Sequence, residues 1–352
     1  MYDAAYQEFY SGENRKAMHK AFCSLIEMLR TDDFSKIDEV LTPDCLADLS
    51  TVGHLKGIEE IKEKIGWPGP VCNVSKITIW NFVARSHEDK GTMFAYIQCT
   101  RAIEKEDAIY PFLFGGQFVN SFVKENGTWK MDHLRFDLIY EEGNDLFVKD
   151  KWTTINYGLY SGHEPMINAE LDSPWRVIPI DDEAQSDAES IFELMYKYAF
   201  VFDNADFEFM HTFVTDNFWI NGSGEDRPYP DDPPRNGDFP GLRAVNDFLK
   251  SKHRNEAKMI HSCRMDRIVY EDDCTAHAYM PRGEEYRLKN HNPDKESIHS
   301  MVTTAMHHIY ARKIDGVWKM YKYRITPELR FDPMADEQIL YDEYIQRRQD
   351  NE

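Results

Sequence analysis

The chain repeats itself. Residues 122–136 read FVKENGTWKMDHLRF and residues 311–325 read ARKIDGVWKMYKYRI. Each is an extended run, a tight turn on Asn-Gly or Asp-Gly, and a second run opening on Trp-Lys-Met, the signature of a two-residue β-hairpin. Upstream, RTDDFSKIDEVLTPD (30–44) parallels DNADFEFMHTFVTD (203–216), each a helix end, a short helix and a threonine-aspartate stop. LKGIEEIKEKI (55–65) parallels FPGLRAVNDFLK (239–250), each a glycine followed by an amphipathic helix. A repeat on this scale is an internal duplication, spanning 12–142 and 184–330. It constrains the fold more than any single motif, because each half must close a core with the same order of elements.

That order is long helix, short helix, third helix, then a run of long strands. Strands are expected near 73–85, 92–104, 109–124 and 128–141, and again near 258–270, 274–287, 298–313 and 317–326. Helices followed by long antiparallel strands make the fold class α+β. The expected architecture is two cone-shaped α+β barrels in one chain, each with helices packed in a curved antiparallel sheet. The expected domains are 1–142 and 184–330, with an aromatic-rich connector at 143–183 packed across both and a C-terminal helix within 331–352. The insert EDRPYPDDPPRNGDFP (225–240) holds five prolines and occurs only in the second half, so it is expected to be a loop able to cover a cavity.

Composition narrows the partners. A formal charge of −21 disfavours nucleic acid and anionic membrane surfaces. No apolar run reaches membrane-spanning length and the first residues carry no apolar signal core, so a cytoplasmic protein with no membrane partner is expected. The six cysteines form no CxxC pair and read as reduced thiols. The sequence has no GxGxxG, no Walker loop and no GxSxG elbow, and no cofactor is expected.

The segment YKYAFVFDNADF (196–207) is an apolar helix that ends on a carboxylate, Asp203, five residues after Tyr198. KMIHSCRM places His261 at the start of the first long strand of the second half. Taken with the order of elements and the DGxWK hairpin, these residues resemble the nuclear transport factor 2-like, or SnoaL-like, superfamily. Its members include ketosteroid isomerase, polyketide cyclases, scytalone dehydratase, bile acid dehydratase and the small subunit of ring-hydroxylating dioxygenases. The resemblance covers nearly the whole chain as two copies, and the second is most similar to the dehydratases. HHIYARKIDGVWKMYKYRITPELRF (307–331) resembles the last hairpin of scytalone dehydratase, and YKYAFVFD (196–203) resembles the YxYxxxxD spacing of bile acid dehydratase.

The resemblance implies that Asp203 is a cavity carboxylate, Tyr198 a phenol donor and His261 the catalytic histidine. It also marks departures. Phe202 stands where scytalone dehydratase has a tyrosine, and Ala305 and His307 stand where it has serine and asparagine, so that enzyme's own substrate is not expected here. Alternation along HSMVTTAMHHIY puts His299, Met301, Thr303, Ala305 and His307 on one face. The resemblance turns that face inward, where it suits an aromatic ligand, and turns His308 and Tyr310 the other way. Asn221, Phe202, Met301, Ala305 and His307 are the expected substrate-binding residues.

Chemically, an imidazole with an ordinary pKa near 6.5 is a base at neutral pH, and a carboxylate bonded to it fixes its tautomer and stabilises the imidazolium. The expected activity is a cofactor-independent lyase that removes water, or a small carbonyl fragment such as formaldehyde, from a hydroxylated aromatic or polycyclic small molecule. An isomerase or polyketide cyclase using Asp203 as base, and a non-catalytic ligand-binding or accessory subunit, are the alternatives. A homo-oligomer of tandem chains is a further partner to expect. Four histidines at 291, 299, 307 and 308 lack the spacing of a metal motif, and no metal site is expected. In the first copy Leu25 and Arg30 align with Tyr198 and Asp203 and nothing matches His261, so its expected role is structural. A divergent pocket there would draw on His54 in the loop TVGHLKG, Arg101 and Asn120, while Asp132 and His133, as strand neighbours, cannot both line it.

Overall fold

A computed structural model describes residues 9–66, 72–105, 108–143, 152–153, 163–221, 238–255, 258–287 and 300–331. The chain divides into two units, Met1–Tyr196 and Lys197–Glu352. In the first, helix α1 (Glu13–Thr31) turns Met18, Phe22, Leu25, Ile26 and Leu29 inward, the three-and-four spacing of a helix with one apolar face. It lies against a six-stranded sheet of β1 (Leu41–Leu49), β2 (Gly53–Lys56), β3 (Val74–His87), β4 (Lys90–Lys105), β5 (Ala108–Glu125) and β6 (Thr128–Gly143), in the order β2-β1-β6-β5-β4-β3. Helix α2 (Ile58–Lys64) follows β2. Short helices α3 (Ala169–Asp172) and α4 (Pro174–Val177) form part of the connector. Trp175 of α4 packs its ring 6.2 Å from that of Phe94 and donates to Glu193 Oε1 at 2.8 Å, which fixes the described part of the connector to this unit.

Helix α5 (Asp187–Asp203) is apolar on nearly every side. The second sheet contains β7 (Val214–Asn221), β8 (Asp238–Pro240), β9 (Met259–Cys263), β10 (Arg267–Asp272), β11 (Thr275–Arg287), β12 (Ser300–Ile314) and β13 (Val317–Phe331), with helix α6 (Leu242–Asn255) after β8. Its order is β10-β11-β12-β13-β7-β8, with β9 also on β11. Read from the other edge, this is the order of the first sheet, with β9 and β10 in the place of β3. The units therefore repeat one topology. They also repeat its irregularities. The turns Asn126-Gly127 and Asp315-Gly316 both have left-handed φ of 50° and 81°, as a type I′ hairpin requires. A β-bulge interrupts the β5–β6 pairing at Asp132 and the β12–β13 pairing at Tyr321, and these two residues are equivalent when the hairpin turns are aligned.

Several expectations are corrected. The sheets are mixed rather than antiparallel, because β1 runs parallel to β6 and β7 parallel to β13. The segments read as a threonine-aspartate stop open strands β1 and β7. His54 lies on β2, not in a loop. The long strand expected at 258–270 is broken at residues 264–266 into β9 and β10. The end of the proline-rich insert forms β8, and the rest of it lies outside the described residues, as does the expected C-terminal helix. Among the described residues, no helix is long and apolar enough to cross a membrane.

Helix α5 stops for a local reason. Asp206 N–H donates to Val201 O at 3.0 Å and Ala205 N–H to Phe202 O at 3.2 Å, with Ala205 left-handed at φ 59°. This is the bonding pattern that ends helices on a glycine, carried here by alanine. Ala205→Gly relieves the clash of Cβ in that conformation and is expected to stabilise the second unit by about 1 kcal/mol, read as a rise in the urea midpoint.

Candidate active site

The stop after Asp203 leaves its carboxylate at the end of a buried helix, facing β9. Its Oδ1 accepts from Nδ1 of His261 at 2.5 Å, and its Oδ2 accepts the backbone N–H of the same residue at 3.0 Å. Both side chains are buried, with Asp203 1% and His261 3% exposed. A carboxylate accepting at Nδ1 places the imidazole proton there, so Nε2 keeps its lone pair. The pair is a base with its tautomer fixed by geometry.

Around it stands a sequence of rings. Phe202 meets His261 edge to face at 5.0 Å between centroids. Tyr198, one turn earlier, stacks on Phe202 at 6.3 Å and lies 4.9 Å from Tyr323 on β13. The Tyr323 hydroxyl hydrogen-bonds Nδ1 of His307 on β12, and both residues are fully buried. Burial, with the charges of Arg282 and His261 adding to it, drives the His307 pKa well below its ordinary value. His307 is therefore neutral at physiological pH. Arg282 on β11 pairs in register with both Cys263 and Ala305 and so shares the inner face with them. It too is buried.

Of the residues singled out in the sequence, the structure brings together Tyr198, Phe202, Asp203, His261 and His307, and places Ala305 buried on the same face. Asn221 ends β7 and Met301 lies near the start of β12, with their side chains outside the described residues. Arg282 and Tyr323 were not evident in the sequence.

Among its described residues, the first unit has no such cluster. Aligning the hairpin turns and following the registers puts Ile77, Ile97, Phe118 and Leu134 at the positions of His261, Arg282, His307 and Tyr323. All four are buried members of one hydrophobic core. At Gly116, the counterpart of Ala305, an added Cβ would meet the Asp137 carbonyl oxygen at 2.2 Å and the Phe136 ring at 2.6 Å, so that space is already occupied. The pocket expected from His54, Arg101 and Asn120 does not assemble. Asn120 donates to the sulfurs of Met93 and Met131 inside the core, and its Oδ1 accepts from Arg135 N–H at 3.1 Å beside the bulge. Arg101 lies eight residues along β4 from the Met93 partner of Asn120, about 27 Å of extended chain. His54 is exposed and bonds Asp48 at 2.6 Å, and Asp48 also accepts from His133 at 2.6 Å. Burial of Asp48, which opposes ionisation, is outweighed by these two bonds, and its carboxyl is held below the usual range. Among the described residues, no group of three or more His, Cys, Asp or Glu side chains is placed to hold a metal ion.

No family model matches the chain, and no curated protein matches it. Solved structures do. A scytalone dehydratase-like protein from Novosphingobium aromaticivorans is 14% identical over 42% of this chain and 88% of its own, with a TM-score of 0.33. The hexachlorocyclohexane dehydrochlorinase LinA-type3 from Novosphingobium barchaimii is 14% identical over 42% of this chain and 90% of its own, with a TM-score of 0.35. An NTF2-like protein with a cystatin-like fold from Novosphingobium aromaticivorans is 15% identical over 44% and 88%, with a TM-score of 0.32. Each of these three solved structures matches less than half of this chain.

Proposed function

We propose that the second unit is a cofactor-independent lyase that eliminates water, or a small carbonyl fragment, from a hydroxylated aromatic or polycyclic small molecule. The observation that carries this reading is the buried Asp203–His261 bond, which leaves a lone pair on Nε2 for abstracting a proton. The chain of rings from His261 to Tyr323 supports a flat, apolar substrate, and the phenol of Tyr198 belongs to that wall. An isomerase using Asp203 directly as base fits less well, because both carboxylate oxygens accept from His261.

Elimination creates a conjugated double bond that absorbs in the ultraviolet, so purified protein can be screened against hydroxylated aryl-propanoids, polyketides and steroids without labels. One class is expected to turn over, and His261→Ala to lose about a hundredfold or more of the rate. Turnover that survives the substitution would remove His261 as the base. Turnover of none of the three classes would favour a ligand-binding or accessory role.

A further inference from the structure

The outer face of the first sheet carries a run of charged side chains that the candidate active site does not use. Ala47, Leu49 and Leu134 belong to the core, so their neighbours Asp48, His133 and Arg135 face outward. His54 of β2 donates from Nδ1 to Oδ1 of Asp48 on β1 at 2.6 Å, and His133 of β6 donates from Nε2 to Oδ2 of the same carboxylate at 2.6 Å. The other ring nitrogen of His133, Nδ1, accepts from Nη2 of Arg135 at 2.8 Å. Arg135 continues the run: Nη1 donates to the Ser121 hydroxyl at 3.3 Å, and Nε pairs with Asp172 of α3 at 3.4 Å. We infer that His133 is a proton-operated latch, which in its neutral form holds Arg135 against α3 and when protonated drives Arg135 off and releases that helix.

The bonds fix the protonation state. A carboxylate at Nε2 requires an N–H there, and a guanidinium at Nδ1 requires a lone pair, so the ring is neutral with its proton on Nε2. A second proton has only Nδ1 to occupy. It would set two donors and two positive charges face to face across a 2.8 Å contact, and the bond becomes a repulsion. Burial opposes ionisation of Asp48, but its two imidazole bonds outweigh that and keep the carboxylate charged as pH falls, so it continues to attract the proton. Asp132, at the bulge, acts on His133 in the same sense. His54 behaves differently: its ring is 77% exposed and faces Glu164, and its second proton goes to Nε2 without displacing the bond to Asp48.

A latch of this kind needs a helix that depends on it. Helix α3 is four residues long and buries none of them. The Asn168 side chain caps its amides, and the Asn168 N–H in turn donates to Oδ2 of Asp172 at 2.7 Å. Asp172 therefore ties the cap to the sheet through Arg135. On either side the connector is held by other means, since Met166 N–H donates to Asp137 at 2.7 Å and Trp175 is buried. Release is confined to residues 168–172.

Hydrogen exchange of the full-length protein tests the latch at pH 8 and pH 5, the range across which imidazoles titrate. It is read on the amides of α3 and corrected for the intrinsic effect of pH on exchange. Wild type is expected to lose about tenfold of its α3 protection at pH 5. His133→Gln carries no charge at either pH and is expected to keep the pH 8 protection at pH 5. Asp172→Asn removes the ion pair and is expected to show the low value at both. Amides of β5 are expected to exchange alike in the three proteins at each pH, which marks the sheet as intact. Wild type equally protected at both pH values, or a loss in His133→Gln as large as that in wild type, would overturn the latch. So would a His133→Gln protein already unprotected at pH 8, because an uncharged side chain would then release α3 too. Asp172→Asn as protected as wild type at pH 8 would show that the pair with Arg135 does not hold the helix, and would overturn it equally.

Discussion

Asp203→Asn is expected to lower kcat on the substrate class found in the screen by about a hundred- to ten-thousandfold while the second unit stays folded. Asparagine is the same size, and its amide oxygen can still accept the backbone N–H of His261. Its amide nitrogen then faces Nδ1, and two donors cannot share one bond. The imidazole resolves the conflict by moving its proton to Nε2, which removes the lone pair that the proposed base uses. No imidazolium formed in the step would have a carboxylate beside it. On the proposed role of the two residues as one base, the double variant Asp203→Asn, His261→Gln is expected to be barely slower than either single variant. Rates for Asp203→Asn within threefold of wild type would show that the bond only holds the helix end to the strand. Circular dichroism of the variant separates that result from unfolding.

Much of this arrangement is legible in the sequence, because it rests on local chemistry. The Asn-Gly and Asp-Gly turns fix both long hairpins, since φ near +50° and +81° is what those residues tolerate. Asp203 and His261 are legible as a carboxylate at an apolar helix end and a histidine opening a strand, and their contact follows once β9 is laid on the helix. Tyr323 is hidden by the bulge. Before it, Trp318 and Met320 point inward, and strict alternation would send Tyr323 outward with Tyr321. The extra residue at Tyr321 flips the parity, and Tyr323 is buried. Arg282 is hidden for another reason: Met-Pro-Arg-Gly reads as exposed and turn-like, and a buried arginine is rare enough that nothing local announces it.

The first unit shows the converse. Arg101 and Asn120 are polar residues on strands whose counterparts line the candidate site in the other unit, His54 lies on β2, and a sequence cannot tell which of them converge. Register decides it. The equivalents of the four site residues are isoleucine, isoleucine, phenylalanine and leucine, and the space a ligand would need is taken by Phe118 and Phe136, whose rings lie 4.6 Å apart. The parallel pairings of β1 with β6 and β7 with β13 also escape local reading, because they join segments far apart in the chain with no turn between them.

Acidification from pH 7 toward pH 4 is expected to destabilise the first unit by about 3 kcal/mol through His19 alone. The residue sits on the inner face of α1, its ring 4.7 Å from Phe82 and 5.4 Å from Tyr10, with the sulfur of Cys23 at 3.6 Å from Nε2. Burial lowers its pKa to about 4, against 6.5 for the free side chain. Between those two values the unfolded chain binds a proton that the folded unit does not. The stabilisation is therefore complete above pH 6.5 and is lost as pH falls through 6.5 toward 4, most of it by pH 5. His54 and His87 act oppositely: their exposed bonds to Asp48 and Asp182 raise their pKa values, so what they contribute is present at low pH and fades as pH rises. His19→Gln removes only the His19 effect and leaves those two surface pairs in place. Hydrogen exchange of the α1 amides, measured in both proteins at pH 7 and pH 5, isolates it as the difference between their changes in stability. A loss at pH 5 about 2 kcal/mol larger in wild type than in His19→Gln is the expected result. Equal losses would mean that His19 takes up its proton inside the folded core, and that the packing of α1 against Phe82 opens to admit a charge.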